Sequence, residues 1–175
     1  MRSAVHKATR ELLVEQPPEN VTFPAIAQRS GVHLTTIYRR WRTMSGLLDD
    51  VVVEMLQRAS PVPDTGSLRG DLTAYALEAA RVLSTPAGTV YVRAVAGSIA
   101  ARETELSRPA LQVRGQALQG MLDRAKERGE PSPTLNDLLE VVLAPMYSRV
   151  LLTADPPDEA MARRVVDRLL KLSTP

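Results

Sequence analysis

The chain has no cysteine and very few aromatic residues. Because none of its 175 residues is cysteine, disulfide bonds and thiolate metal sites are excluded. The two histidines, His6 and His33, lie at a spacing that does not suit a shared metal ion, and no glycine-rich phosphate loop follows a strand. No set of side chains has the spacing of a catalytic site. We therefore expect no metal, no cofactor and no enzymatic activity.

Long apolar runs are also missing. No stretch approaches the length of a membrane span, and no signal peptide is visible, so we expect a cytoplasmic protein with no membrane partner. Hydrophobic residues make up 44% of the chain and charged residues 24%, which is typical of a globular protein. The net charge is only +2, so any surface for nucleic acid must be local.

Helical periodicity dominates the chain, and proline and glycine interrupt it at intervals. The segment 60–66 contains two prolines and a glycine and reads as a boundary between a domain at 1–60 and another at 61–175. A strand is a local alternative at 89–95, but no second strand is available to pair with it. The sequence therefore predicts an all-α fold. The predicted helices cover 4–15, two short segments within 21–41, 45–59, 68–84, 87–102, 109–128, 135–154 and 157–172.

The stretch 21–41 reads as two short helices joined by a tight turn. Thr22 can cap the first helix, and Gly31 can adopt the left-handed conformation that ends it. In the second helix, Val32 and Ile37 are expected to face a core. The outward side contains hydroxyls, an amphipathic ring and three guanidinium groups without an acid, which suits phosphates and base edges. A solvated surface is the open alternative. The outward residues are His33, Leu34, Thr35, Thr36, Tyr38, Arg39, Arg40 and Arg42.

This stretch resembles the DNA-binding half of the TetR family of transcriptional regulators. The matching features are the threonine that starts the first short helix, A-I-A, the G-V turn and T-I-Y-R-R-W. The resemblance implies a three-helix DNA-binding domain of helix-turn-helix type and a helical domain for ligand binding and dimerisation. It places Leu34, Thr35 and Thr36 near the bases. It places Thr22 and Tyr38 at phosphates, with the three arginines as further phosphate candidates.

The last two helices are the expected dimer interface, as the resemblance implies. The segment 135–154 is apolar on two sides, so one side can meet its own domain and the other a second chain. Which side does so stays open. Pro145 is expected to kink this helix or to remove a hydrogen bond. One row contains Leu139, Leu143, Met146 and Val150, another contains Leu138, Val142 and Leu152, and the last helix adds Val165, Val166 and Leu169.

The family also implies a small-molecule effector site in the second domain. Tyrosines combine ring surface with a hydroxyl, so they are candidates for its lining, although each could be an ordinary half-buried tyrosine. Arg149 could anchor a ligand carboxylate or form an ion pair with Asp155 or Asp167. The candidate effector residues are Tyr75, Tyr91, Met121, Tyr147 and Arg149.

The expected function is a repressor that binds a pseudo-palindromic duplex operator as a homodimer and is released by an effector. The alternative is a helical ligand-binding or scaffold dimer that does not bind DNA.

Overall fold

The structure is a computed structural model that describes residues 1–59, 62–86, 88–89, 92–93, 96, 108–153 and 155–173. Every regular element in these ranges is helical, so the predicted all-α fold is confirmed. Tyr91 and most of the helix predicted at 87–102 lie outside the described residues. The helices are α1 (Arg2–Glu15), α2 (Phe23–Ser30), α3 (Leu34–Trp41), α4 (Met44–Ala59), α5 (Leu68–Leu83), α6 (Arg108–Glu127), α7 (Leu135–Leu138, Leu139–Leu143 and Ala144–Leu152) and α8 (Glu159–Leu172).

The chain divides into two compact units. The first contains Met1–Met55 and Pro86–Leu111, and the second contains Leu56–Thr85 and Gln112–Pro175. The domain boundary near residue 60 stays a prediction. In the described part of the chain, no helix is both long and apolar enough to cross a membrane.

The first unit is built on one apolar core. The buried side chains of α1 recur at helical spacing along one side of the helix. The helix ends at Glu15, shortly before Pro17 and Pro18. Ile26 of α2 and Ile37 of α3 are fully buried, and each short helix adds a second buried side chain, Phe23 on α2 and Trp41 on α3. The core residues are Val5, Ala8, Leu12, Leu13, Val21, Phe23, Ile26, Ile37, Trp41, Leu47, Leu48 and Val51.

In the second unit, α8 packs on α5 and on the middle segment of α7. Ser67 caps α5, and Asp158 caps α8 by accepting a 2.7 Å hydrogen bond from the amide of Met161. Small side chains on α5, Ala76 and Ala80, are buried and allow close approach of a neighbouring helix. The inner face of α8 contains Met161, Ala162, Val165, Val166 and Leu169.

The middle segment of α7, Leu139–Leu143, is a π-helical turn. The amide of Ala144 bonds to the carbonyl of Leu139, five residues earlier. Pro145 follows directly, and in a regular helix its ring would clash with the carbonyl four residues before it, so a wider turn removes that conflict. The additional residue rotates every later side chain by about 100° around the helix.

This rotation changes which residues of α7 lie on the same side of the helix, and the dimer interface predicted from the sequence stays a prediction. Leu139 is 40% exposed, whereas the later members of its row turn inward. In the other row, Leu138 and Val142 are buried, but Leu152 is 82% exposed. The prediction assumed uniform α-helical spacing. Because of the π turn, the residues of each row that follow the turn lie on the side that the other row occupies before it. Six predicted interface residues are therefore buried within a single chain, namely Leu143, Met146, Val150, Val165, Val166 and Leu169.

Candidate nucleic-acid interface

Helices α2 and α3 form a helix-turn-helix unit. Thr22 precedes α2, and its hydroxyl accepts a 3.4 Å hydrogen bond from the amide of Ala25. This hydroxyl can still donate its own proton. Gly31 ends α2 with φ of +68°, a conformation that costs glycine little. The α3 helix then begins at Leu34, with the exposed His33 at the capping position.

One side of α3 is buried and the opposite side is exposed. Ile37 and Trp41, four residues apart, face the core of the first unit. The exposed side therefore presents a threonine hydroxyl near the start of the helix and cations toward its end. Its exposed residues are Thr35, Tyr38, Arg39 and Arg40, and Arg42 is exposed directly after the helix.

Two of the predicted outward residues lie deeper than expected. Leu34 is half-buried and packs against the core of the first unit, and Thr36 is also half-buried. Leu34 packs inward because it starts the same side of the helix that carries Ile37 and Trp41. Thr35 is consequently the most accessible of the first three α3 side chains.

Fewer arginines near α3 are available to bind phosphate than the sequence indicates. Arg29 forms a two-pronged ion pair with Glu15 at 2.6 and 2.8 Å, which holds the pKa of Glu15 below its usual value. Arg29 is therefore neutralised by α1. In the described part of the chain, no acid pairs with Arg39, Arg40 or Arg42, and these three cations remain available for phosphates.

Phe23 positions the exposed tyrosine of α3. The ring of Tyr38 is 49% exposed and contacts the buried Phe23 ring edge to face, with centroids 4.8 Å apart and an interplanar angle of 82°. The contact holds the phenol ring at the surface between α2 and α3. Its hydroxyl can then donate to a phosphate without first losing much side-chain freedom.

Trp41 ties the end of α3 to α4. Its indole nitrogen donates a 2.9 Å hydrogen bond to Asp50. Arg2 of α1 donates two hydrogen bonds to the same carboxylate, at 2.5 and 3.1 Å. Burial acts to raise the pKa of Asp50, but the hydrogen bonds from Trp41 and Arg2 outweigh it, so the pKa lies below its usual value.

A buried histidine completes this network. His6 is fully buried, its Nε2 lies 3.2 Å from Asp50, and its Nδ1 contacts Glu54. The network thus joins α1, the end of α3 and α4 through polar groups. No local pattern in the sequence marks this network, because the partners of His6 are 44 to 48 positions away along the chain.

Arg42, the residue directly after α3, lies at the centre of an unusual turn. Its φ is +51° and its ψ is −43°, and the amide of Thr43 bonds to the carbonyl of Trp41 across it. This is a three-residue γ-turn, in a conformation that costs a residue with a side chain about 1–3 kcal/mol. The turn directs the Arg42 side chain outward directly after α3. The central guanidinium carbon of Arg40 lies 5.3 Å from the centre of the Trp41 ring.

Both parts of the chain match known families. Residues 6–51 match the family described as bacterial regulatory proteins, tetR family, and residues 62–169 match the tetracyclin repressor-like C-terminal domain. The chain belongs to the TetR family of transcriptional regulators. It is therefore a transcriptional regulator with a helix-turn-helix DNA-binding domain, and not an enzyme.

Individual relatives of this TetR regulator agree. It is 34% identical over 142 residues to the HTH-type transcriptional regulator AqdR of Rhodococcus erythropolis, which covers 81% of this chain and 69% of AqdR. It is 29% identical over 172 residues to an uncharacterised HTH-type transcriptional regulator, YdeS of Bacillus subtilis, covering 96% and 87%. The crystal structure of the TetR family transcription regulator SCO0332 matches with a TM-score of 0.78 and 28% identity, over 99% of this chain and 98% of that one.

The predicted effector residues of this TetR regulator do not all come together. Arg149 pairs with Asp155 near the surface, as in the ion-pair alternative of the sequence analysis. Met121 is fully buried in the core of the second unit. Tyr75 is buried and Tyr147 is half-buried, and both lie near Arg114, a residue that no motif in the sequence marks.

Proposed function

We propose that this TetR regulator is a cytoplasmic repressor that binds a pseudo-palindromic operator as a homodimer and leaves it when a small-molecule effector binds the second unit. The observation that carries the proposal is the exposed side of α3. It combines three cations that lack acidic partners in the described chain with a positioned tyrosine and an accessible threonine hydroxyl.

The contacts to DNA divide into two kinds. Thr22, Tyr38 and Arg39 offer donors that suit phosphates, and such contacts position the protein without reading sequence. Thr35 offers a hydroxyl and a methyl group at the start of α3, the part of a recognition helix that meets base edges in the major groove. Leu34, half-buried, contributes at most an apolar edge, most naturally to a thymine methyl.

The exposed side of α7 is our candidate for the dimer interface, in place of the buried residues predicted from the sequence. Leu151 and Leu152 are 37% and 82% exposed, and Ala144 and Ser148 continue the same side toward the π turn. Small residues at this spacing allow a second helix to approach closely, and exposed leucines give apolar area to bury. Two α3 helices related by a two-fold axis then require two half-sites in inverted orientation.

Selection from a pool of random duplexes tests the operator. The wild type is expected to enrich an inverted repeat whose half-sites are about one helical turn apart. Thr35→Ala should change the enriched half-site, because it removes a group that faces the bases. Arg39→Ala should enrich the same half-site with weaker binding, because it removes only a phosphate contact. Enrichment of a single, non-repeated site would contradict the dimeric operator, and no enrichment would contradict sequence-specific repression.

Sedimentation of two variants tests the dimer face. Leu152→Glu places a charge on an exposed position, so it should produce a folded monomer. Val166→Glu buries an unpaired charge within one chain, so it should unfold the second unit. A Leu152→Glu protein that remains dimeric at micromolar concentration would show that this side of α7 is not the interface.

A further inference from the structure

His6 lies between two carboxylates inside the first unit. Its side chain is fully buried, its Nε2 lies 3.2 Å from Oδ2 of Asp50, and its Nδ1 contacts Oε2 of Glu54. Asp50 and Glu54 are four residues apart on α4, so they lie on the same side of that helix. Both ring nitrogens of one histidine on α1 are therefore directed at carboxylates of α4.

The hydrogen-bonding capacity of these groups decides which form of the ring fits. An ionised carboxylate only accepts hydrogen bonds, so each ring nitrogen of His6 has to donate. A neutral imidazole donates from one nitrogen only, and the lone pair of the other nitrogen would face a carboxylate oxygen. The imidazolium donates from both nitrogens and places its positive charge beside two negative groups. The geometry therefore fits the imidazolium and not the neutral ring.

Other charged groups around His6 come from the same two helices. Among the described residues, Arg2 of α1 pairs with Asp50 at 2.5 Å, and Nη1 of Arg10, also on α1, lies 3.8 Å from Glu54. Both arginines are partly exposed, so water screens their charges. Burial acts to raise the pKa of Asp50, but its hydrogen-bond donors and the charges of Arg2 and His6 keep that pKa below its usual value, so Asp50 is ionised at neutral pH. The buried imidazole is the group that both carboxylates share.

Asp50 connects this arrangement to α3. It accepts a 2.9 Å hydrogen bond from the indole nitrogen of Trp41, and the uncharged Trp41 ring has its centre 5.8 Å from the centre of the His6 ring. Trp41 is the last residue of α3, and Arg39 and Arg40 directly precede it. A buried carboxylate that loses a donor is destabilised, so loss of the His6 proton favours a shift of α4 that brings the carboxylate to water. Such a shift moves the acceptor on which the end of α3 depends.

We propose that His6 is held as the doubly protonated imidazolium between Asp50 and Glu54 and is a positioning residue for α3, so that loss of its proton weakens operator binding. Because His6 is fully buried, it acts through Asp50 and Trp41 and not by touching DNA. The fraction of protein with α3 in place falls as the pH rises, and the observed Kd increases as that fraction falls. This inference rests on the proposed function, since it adds proton linkage to operator binding.

Two NMR signals report on the network directly. Nitrogen-15 spectra of the whole chain distinguish an imidazolium, with both nitrogens protonated, from a neutral ring. The chain has two histidines and one tryptophan, so a His33→Gln variant assigns the His6 signals and the indole signal belongs to Trp41. We expect an imidazolium at about pH 6 that loses a proton before about pH 9, with the Trp41 indole signal shifting at the same midpoint.

Operator binding is then measured over the same pH range at constant salt, by fluorescence anisotropy with a labelled duplex from the protein's own promoter. All proteins carry His33→Gln, because the exposed His33 before α3 could also change its charge beside DNA. The Kd should rise at least about threefold with pH. In His6→Gln, which cannot change its charge, the rise should stay below about twofold.

A second variant acts on the partner of the ring. In Glu54→Gln, the amide can accept from or donate to Nδ1 of His6, so both forms of the ring are satisfied and the rise should also fall below about twofold. Glu159→Gln, at an exposed position on α8, is the matched control and should keep the full rise. Circular dichroism checks that each variant is folded. If His6→Gln does not fold, Glu54→Gln provides the comparison.

Four results would overturn the inference. These are a neutral His6 ring at about pH 6, a ring that keeps both protons at about pH 9, a rise in Kd below about twofold in the parent protein, and an equal rise in His6→Gln. A merely structural His6 would give the parent protein and His6→Gln the same pH profile. If the duplex is bound equally at every pH, only this inference fails. If no duplex is bound at any pH, the proposed function fails, and the signals of His6 and Trp41 still decide whether the proton holds the network together.

Discussion

Replacing Asp50 should destabilise the first unit, because this carboxylate joins three helices. Asp50→Ala leaves the indole N–H of the buried Trp41 without its acceptor, which costs about 1–3 kcal/mol. It also removes the pair with Arg2, whose side chain is 45% exposed, for a further ~0–1 kcal/mol. We expect a loss of about 1–4 kcal/mol in the free energy of unfolding, a substantial part of the 5–15 kcal/mol that is typical of a domain.

Urea unfolding followed by tryptophan fluorescence measures this loss. Trp41 is the only tryptophan in the chain, so the signal reports the site itself. Asp167→Ala is the control, since Asp167 pairs with Arg69 at an exposed position and should unfold like the wild type. The pKa of Asp50 is lowered on folding, so its contribution is present above about pH 4 and disappears as the pH falls through the folded-state pKa. An Asp50→Ala protein as stable as the control at pH 7 would refute the reasoning.

Four further substitutions test other parts of the structure by the same unfolding measurement, followed by circular dichroism. The pKa of Tyr147 is raised to about 12 on folding, so roughly 2–3 kcal/mol of stability should be lost between pH 10 and pH 12, and Tyr147→Phe should not show this loss. Gly31→Ala should destabilise by about 1 kcal/mol, because φ is positive there. The helical Gly120→Ala should instead stabilise by roughly 0.5–1 kcal/mol, because its added methyl meets open space. Asp158→Ala should cost about 1 kcal/mol, because the amide of Met161 loses its acceptor.

The helices could be predicted because their ends are marked in the sequence. Thr22 caps the helix that it was expected to cap, Ser67 caps α5, and Gly31 and Gly129 have the positive φ that ends a helix. The prediction that Ile37 of α3 faces the core is confirmed, because its side chain is fully buried. These features act over three or four residues, and a local pattern is enough to reveal them.

Two features could not be predicted in this way. The π turn at Leu139–Leu143 depends on how the chain avoids the conflict at Pro145, and a periodicity argument assumes a constant number of residues per turn. Polar pairs between residues far apart in the sequence could not be predicted either. Arg114 meets Tyr75, and His6 meets Glu54, only after distant helices have packed, and nothing near these residues in the sequence marks the partner.

Duplex binding as a function of salt is the most direct test of DNA recognition by α3. Fluorescence anisotropy with a labelled duplex from the protein's own promoter gives Kd between 50 and 300 mM salt. We expect log Kd to rise linearly with log salt concentration, and Arg39→Ala to reduce the slope by about one unit. Arg168→Ala removes an exposed cation from α8 of the second unit and should leave the slope unchanged. Salt-independent binding, no duplex binding, or an equal slope in Arg39→Ala and wild type would contradict the account.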